Sequence, residues 1–96
     1  MFLFELKENG LMDKFFYRIQ DDPRIGASHI ALFAAMAQIS KDNQSVQFYG
    51  RELRQLAKVY SSRTYFKILR DLQECCYINY KKGRCRWERS QVVFTI

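Results

Sequence analysis

The segment from Ala27 to Lys41 constrains this chain more than any other. Ile30, Leu32, Phe33, Ala34, Ala35, Met36, Ala37 and Ile39 leave a helix here almost no polar face, with Gly26 or Ser28 as its cap. A helix that is apolar nearly all round is stable only when other elements cover every side of it. The rest of the chain must therefore wrap around this segment. With 96 residues there is chain for one such arrangement and not for two. The expectation is a single domain over 1–96, with an N-terminal arm and helix over 1–25 and a core over 26–96. Apolar residues at 48% and aromatics at 16% are enough to fill that core and exclude a disordered chain.

The covering elements can be read from periodicity. Asn9-Gly10 precedes a helical pattern in which Leu11, Met12, Phe15, Phe16 and Ile19 share one face. Asp22-Pro23 ends it, because the residue before proline avoids the α region. The first nine residues alternate weakly (Phe2, Phe4, Leu6) and fit either a short strand or an ordered arm. Beyond the central helix, Asp42-Asn43-Gln44-Ser45 is a polar turn and Val46-Gln47-Phe48 alternates as a short strand. A helix from about Gly50 to Lys58 has Leu53, Leu56 and Ala57 as its inward stripe. Val59-Tyr60 is a tight connection, and Ser61 is a good N-cap with Thr64 three residues on. The helix from Ser62 to Cys75 turns Tyr65, Ile68, Leu69, Leu72 and Cys76 inward, and Ser62, Arg63, Phe66, Lys67 and Arg70 outward. The period then changes to two: Tyr77 to Lys81 and Gln91 to Ile96 form a hairpin around Lys82-Gly83, with Val92, Phe94 and Ile96 on one face. This predicts an α+β fold, mainly α. From residue 27 onward the order is that of a winged helix-turn-helix, with an extra N-terminal helix and a C-terminal two-stranded wing.

Charge then separates the two halves. The net charge is +6, but residues 1–45 carry five basic and six acidic side chains, whereas residues 46–96 carry eleven basic and four acidic. A solubilising charge would be spread more evenly, so the asymmetry points to a directed surface and a polyanionic partner. In a helix-turn-helix the second helix enters the major groove and its first residues meet base edges. Arg63 sits in the first turn, where its fork can reach guanine. Ser61, Ser62 and Thr64 can donate hydroxyl hydrogen bonds to phosphates. Phe66, Lys67 and Arg70 continue the same face. The hairpin tip carries Lys81, Lys82, Arg84, Arg86 and Arg89, suited to an adjacent minor groove or backbone. Its Trp87 either packs back on the domain or stacks on a sugar or base. Tyr49 and Arg51, at the start of the short helix, and Tyr60 beyond its end, are placed to touch phosphate or to pack at the rim. Double-stranded DNA is therefore the expected partner. Phe2, Leu3, Phe4 and Leu6, with the face of the first helix, exceed what one buried helix needs, so a homodimer through this segment is expected, giving two half-sites on the duplex.

Other functions are poorly supported. The only histidine, His29, begins the buried helix, where a structural hydrogen bond is its expected role. There is no Gly-rich phosphate loop, GxSxG or HExxH, so no enzyme activity and no cofactor are expected, and no small-molecule ligand is evident. Cys75, Cys76 and Cys85 contain no CxxC and make an odd count, so neither a metal site nor a disulfide framework is expected, and a reducing cytoplasm fits best. No run of apolar residues is long enough to span a membrane, and Met1 to Glu5 has no basic n-region or cleavage site, so no leader is expected.

Two stretches carry a resemblance. One runs from Phe15-Phe16 through Asp22-Pro23-Arg24-Ile25 to Ser28-His29-Ile30-Ala31-Leu32-Phe33-Ala34-Ala35-Met36. The other joins Glu52-Leu53, Leu56, Lys58, Ser61, Thr64-Tyr65, Leu69, Leu72 and Tyr77-Ile78-Asn79-Tyr80. Together they resemble small winged-helix DNA-binding proteins of Bacteroidetes, which are often carried on conjugative transposons or near excision genes. The resemblance implies a transcriptional regulator or an excision or recombination accessory factor. The chain departs from that pattern at Tyr49-Gly50, where a polar cap is usual, and at Cys76, where glycine is usual. Its wing is more basic and lacks proline, and the turn from Ala57 to Ser61 is shorter than in phage repressors. Two other readings of the residues stand beside this one. One is a protein-interaction module whose basic face meets an acidic partner. The other is an RNA-binding module, which would prefer single strands to duplex.

Overall fold

Seven elements follow one another in the computed structural model, which describes residues 10–42, 44–85 and 87–96. They are α1 (Gly10–Ile19), α2 (Ala27–Ile39), β1 (Ser45–Phe48), α3 (Gly50–Ala57), α4 (Ser62–Glu74), β2 (Ile78–Lys81) and β3 (Ser90–Phe94). Among the described residues the fold is α+β: four helices and a three-stranded antiparallel sheet. The arm expected at Phe2, Leu3, Phe4 and Leu6 lies outside the described residues.

α2 is covered as its composition requires, packing against α1, α3, α4 and β1. Leu32, Phe33, Ala35, Met36 and Ala37 are buried, and Ile30 and Ile39 are partly so. Gly26 opens the helix, its N–H donating to His29 Nδ1 at 3.1 Å. The helix stops at Ser40, whose backbone is extended and whose buried hydroxyl donates to the Ser45 carbonyl at 3.0 Å. That bond folds the chain directly into β1.

An aromatic cluster joins α1 to the rest. The Phe15 ring stacks on Phe33 with centroids 3.8 Å apart and meets Tyr77 in a T-shaped pair at 5.4 Å. Phe33 also meets Phe94 at 5.3 Å. α1 therefore belongs to the core through Leu11 and Phe15. Phe16 does not follow: it is 47% exposed. Successive helical residues are about 100° apart, so when Phe15 points at α2 its neighbour is carried off the contact stripe. The same geometry corrects Leu56, which is 49% exposed while Leu53 and Ala57, one turn apart, fill the inward stripe of α3.

The hairpin is not a two-stranded unit on its own. The sheet order is β1-β3-β2, with β3 central: Ser45 pairs with Val93 and Phe48 with Ser90, while Ile78 pairs with Phe94 and Lys81 with Gln91. Alternation places Val46, Phe48, Ile78, Val92 and Phe94 on the buried face and Gln47, Asn79 and Val93 on the open one.

α3 and α4 end in the same way. Lys58 has φ 62° and Cys76 φ 67°, both left-handed. Val59 N–H bonds back to the Arg54 carbonyl and Tyr77 N–H to that of Leu72, closing a Schellman turn on each helix. This corrects Cys76, which was expected on the inner side of α4. It stands beyond the helix and is exposed, while Cys75 is partly buried. Tyr77, expected in the strand, lies in the turn, and its hydroxyl donates to Asp22 Oδ2 at 2.9 Å. Among the described residues no helix is long and apolar enough to cross a membrane.

Candidate nucleic-acid interface

α4 is amphipathic, and its two faces are cleanly divided. Tyr65, Ile68, Leu69 and Leu72 are buried, while Ser62, Arg63, Thr64, Phe66, Lys67 and Arg70 are all exposed. Ser61 caps the helix as its sequence predicts, its Oγ accepting from Thr64 N–H at 3.3 Å. The hydroxyl hydrogen of Ser61 is not used in that bond and stays available to an acceptor. The angle between α3 and α4 is held by Arg54, a residue that sequence reasoning missed. Its guanidinium donates to the carbonyls of Val59 and Tyr60 and lies over the Tyr65 ring at 5.9 Å. Nothing in the spacing around Arg54 distinguishes it from a solvated arginine.

Below the outer face runs a small polar network. His29 Nδ1 accepts from Gly26, so the imidazole hydrogen sits on Nε2, which donates to Asp71 Oδ2 at 2.9 Å. The expected structural hydrogen bond of His29 is thus a pair of bonds tying the start of α2 to α4. Asp71 Oδ2 also takes the Lys67 ammonium at 3.1 Å. The His29 hydrogen bond first, and Lys67 second, hold the Asp71 carboxyl below its ordinary pKa. Lys67 is therefore not an unengaged cation. Its pair with Asp71 is an exposed i,i+4 bridge of small net strength, which a phosphate can displace.

The hairpin closes over this surface from one side. Lys82 Nζ lies 5.0 Å from the centroid of Phe66, and the Arg89 guanidinium lies 5.3 Å from that of Tyr49. These contacts bring the hairpin cations against α4 and the start of α3. Gly83 allows the tight tip: a Cβ there would stand 2.3 Å from the Glu88 carbonyl oxygen. Arg84 N–H donates to Glu88 Oε1 at 3.2 Å, and Gly83 N–H to Ser90 Oγ at 3.2 Å. The Arg84 side chain is exposed. Trp87 is 78% exposed, so the reading that packs it back on the domain is corrected. Arg86, also expected in the wing, lies outside the described residues. Tyr49 is half-buried under Arg89, Tyr60 is exposed, and Arg51 is exposed on the first turn of α3.

A groove of about 430 Å³ separates the hairpin from the starts of α3 and α4. Tyr65, expected only as core, reaches it, and its buried hydroxyl has no hydrogen-bond partner among the described residues. Leaving a buried hydroxyl unpaired costs about 1–3 kcal/mol. Cys75, Cys76 and Cys85 are free thiols, and among the described residues no three histidine, cysteine or acidic side chains gather as a metal site. Compared with protein-family models, curated proteins and solved structures, the chain matches none.

Proposed function

We propose that this chain is a winged helix-turn-helix protein that binds double-stranded DNA with sequence preference. It acts as a transcriptional regulator or as an excision or recombination accessory factor of a mobile element, in a reducing cytoplasm where its thiols stay free. The observation that carries this reading is the union of two basic elements. The outer face of α4 and the hairpin adjoin at the Lys82–Phe66 contact, and both are drawn from the half of the chain that holds the whole cationic surplus. In this reading Arg63 meets a base edge from the first turn of α4, and Ser62, Thr64, Lys67 and Arg70 hold the flanking phosphates. Arg84 and Arg89 grip the backbone or minor groove beside it. Phe16 and Tyr17, both exposed on α1, support a homodimer through the N-terminal segment.

Selection of bound duplexes from a random pool tests the reading. It expects an enriched motif, repeated with two-fold symmetry if the dimer forms on DNA. Recovery of a pool no different from the input, at low salt, would sink it. Light scattering on the free protein decides the dimer separately: twice the monomer mass is expected, and a monomer at all concentrations rejects it.

A further inference from the structure

The groove beside the hairpin is lined by a residue whose polar group the fold does not use. Tyr65 is 2% exposed, and its hydroxyl finds no acceptor or donor among the described residues. The phenol ends against Gly50, where a Cβ would stand 3.3 Å from the hydroxyl oxygen. No glycine among the described residues has a positive φ, so what calls for glycine at this position is the approach of the phenol, not an unusual backbone. Gly50 is also the first residue of α3, and its N-cap, Tyr49, offers no side-chain hydrogen bond. The first amides of a helix have no intrahelical acceptor and lie at the positive end of its dipole. Arg51, Lys82 and Arg84 line the same groove, with Glu88 as its one carboxylate among the described residues. A set of open amides, a neutral hydroxyl donor and three cations against one anion is the chemistry that holds an oxyanion.

We propose that this groove is a phosphate-binding site, in which the amides of Gly50, Arg51 and Glu52 and the Tyr65 hydroxyl donate to phosphate oxygens while Arg51 and Arg84 neutralise its charge. The phosphate comes from a DNA backbone phosphodiester or from a free phosphate; the first source rests on the duplex-binding reading and the second does not. Burial pushes the Tyr65 phenol above its ordinary pKa, so it remains a donor across the neutral range.

The test uses the 96-residue chain, its Tyr65→Phe variant and its Gly50→Ala variant. Amide chemical shifts are followed by NMR as inorganic phosphate is added, with chloride at matched ionic strength as the control. Phosphate, and not chloride, is expected to move Gly50, Arg51 and Glu52, saturating in the millimolar range. Tyr65→Phe, which keeps the ring and removes only the unpaired hydroxyl, is expected to unfold no earlier than the parent and to bind phosphate about tenfold more weakly. Gly50→Ala, which crowds the phenol, is expected to weaken it as well. Equal responses to phosphate and chloride, or full phosphate affinity in Tyr65→Phe, overturn the site.

Duplex titrations of the same proteins identify the source. A severalfold loss of duplex affinity in Tyr65→Phe assigns a phosphodiester. Intact duplex affinity with impaired phosphate binding supports the site and assigns a free phosphate. Phosphate binding without any duplex affinity leaves the site standing and removes the DNA reading. Duplex binding with no phosphate response, and no effect of Tyr65→Phe, removes the site and leaves the DNA reading.

Discussion

α2 and α4 are both 13 residues long, yet they use their surfaces in opposite ways. α2 buries Leu32, Phe33, Ala35, Met36 and Ala37 and is covered on several sides by α1, α3, α4 and β1. α4 buries one stripe, Tyr65, Ile68, Leu69 and Leu72, and leaves the opposite face exposed. Most side chains of α2 are therefore answerable to packing, Ala27, Ser28 and Gln38 being the exposed ones. The outer residues of α4 are held by few contacts, the Lys67–Asp71 pair and the Tyr65 ring beside Phe66 among them, so Arg63 and Arg70 there are not fixed by core packing. A solvated helix face alone does not place an aromatic ring under the Lys82 ammonium at 5.0 Å.

The comparison can be broken most forcefully on α2. Phe33→Ala removes the ring stacked on Phe15 at 3.8 Å, together with its contact to Phe94. A loss of about 3–5 kcal/mol in urea-unfolding stability is expected; a surface-like change would show that α2 is not the organising helix. On the outer face of α4 the effects should move from stability to binding. Arg63→Ala is expected to change stability by less than about 0.5 kcal/mol. It should remove about 1–3 kcal/mol of discrimination at one base position, read by competition among duplex variants. Arg84→Ala, in the hairpin, should instead weaken all duplexes alike and lower the salt slope by about one. Equal effects of the two variants on every sequence would erase the distinction between reading and gripping.

A smaller effect lies at the end of α4. Cys76→Gly relieves a left-handed residue and is expected to stabilise the fold by about 0.5–1 kcal/mol, seen as a higher melting temperature. The smallest effects are in pH dependence. The Arg24 hydrogen bonds hold the Asp22 carboxyl well below the carboxylate range, and the amides of Gln44 and Ser45 lower that of Asp42. The unfolded chain takes up these protons first as pH falls through about 4. Stability is thus full above that pH and declines below it, and Asp22→Asn should flatten the decline. Burial, then the hydrogen bond to Asp22, pushes the Tyr77 phenol up to about 12. The unfolded phenol ionises first, so stability is full below about pH 10 and declines above it; the buried Tyr65 phenol adds to that decline, so Tyr77→Phe should make it shallower without removing it.

Much of this arrangement is legible in the residues themselves. The order of the elements, the buried α2, the Ser61 cap and the outer stripe of α4 all follow from local periodicity and capping chemistry, which act within a few residues. What escaped depends on partners far away in the chain. β1 joins β3 across more than forty residues, which no short window detects. Phe16 and Leu56 sit at the margins of their stripes, where only the position of the neighbouring element decides burial. Cys76 and Lys58 take left-handed backbone that their side chains do not advertise. Arg54 and Tyr65 read as an ordinary surface cation and an ordinary core ring, because an interhelical clamp and an unpaired hydroxyl exist only once the helices have packed.

The most direct measurement is fluorescence anisotropy of a labelled duplex, taken from the enriched pool or of mixed sequence, titrated with the protein across a series of salt concentrations. Tight binding at low salt is predicted, with log affinity falling linearly and steeply against log salt as several phosphates are neutralised, and weaker binding to the matching single strand. No duplex affinity at low salt, or a preference for the single strand, would contradict it.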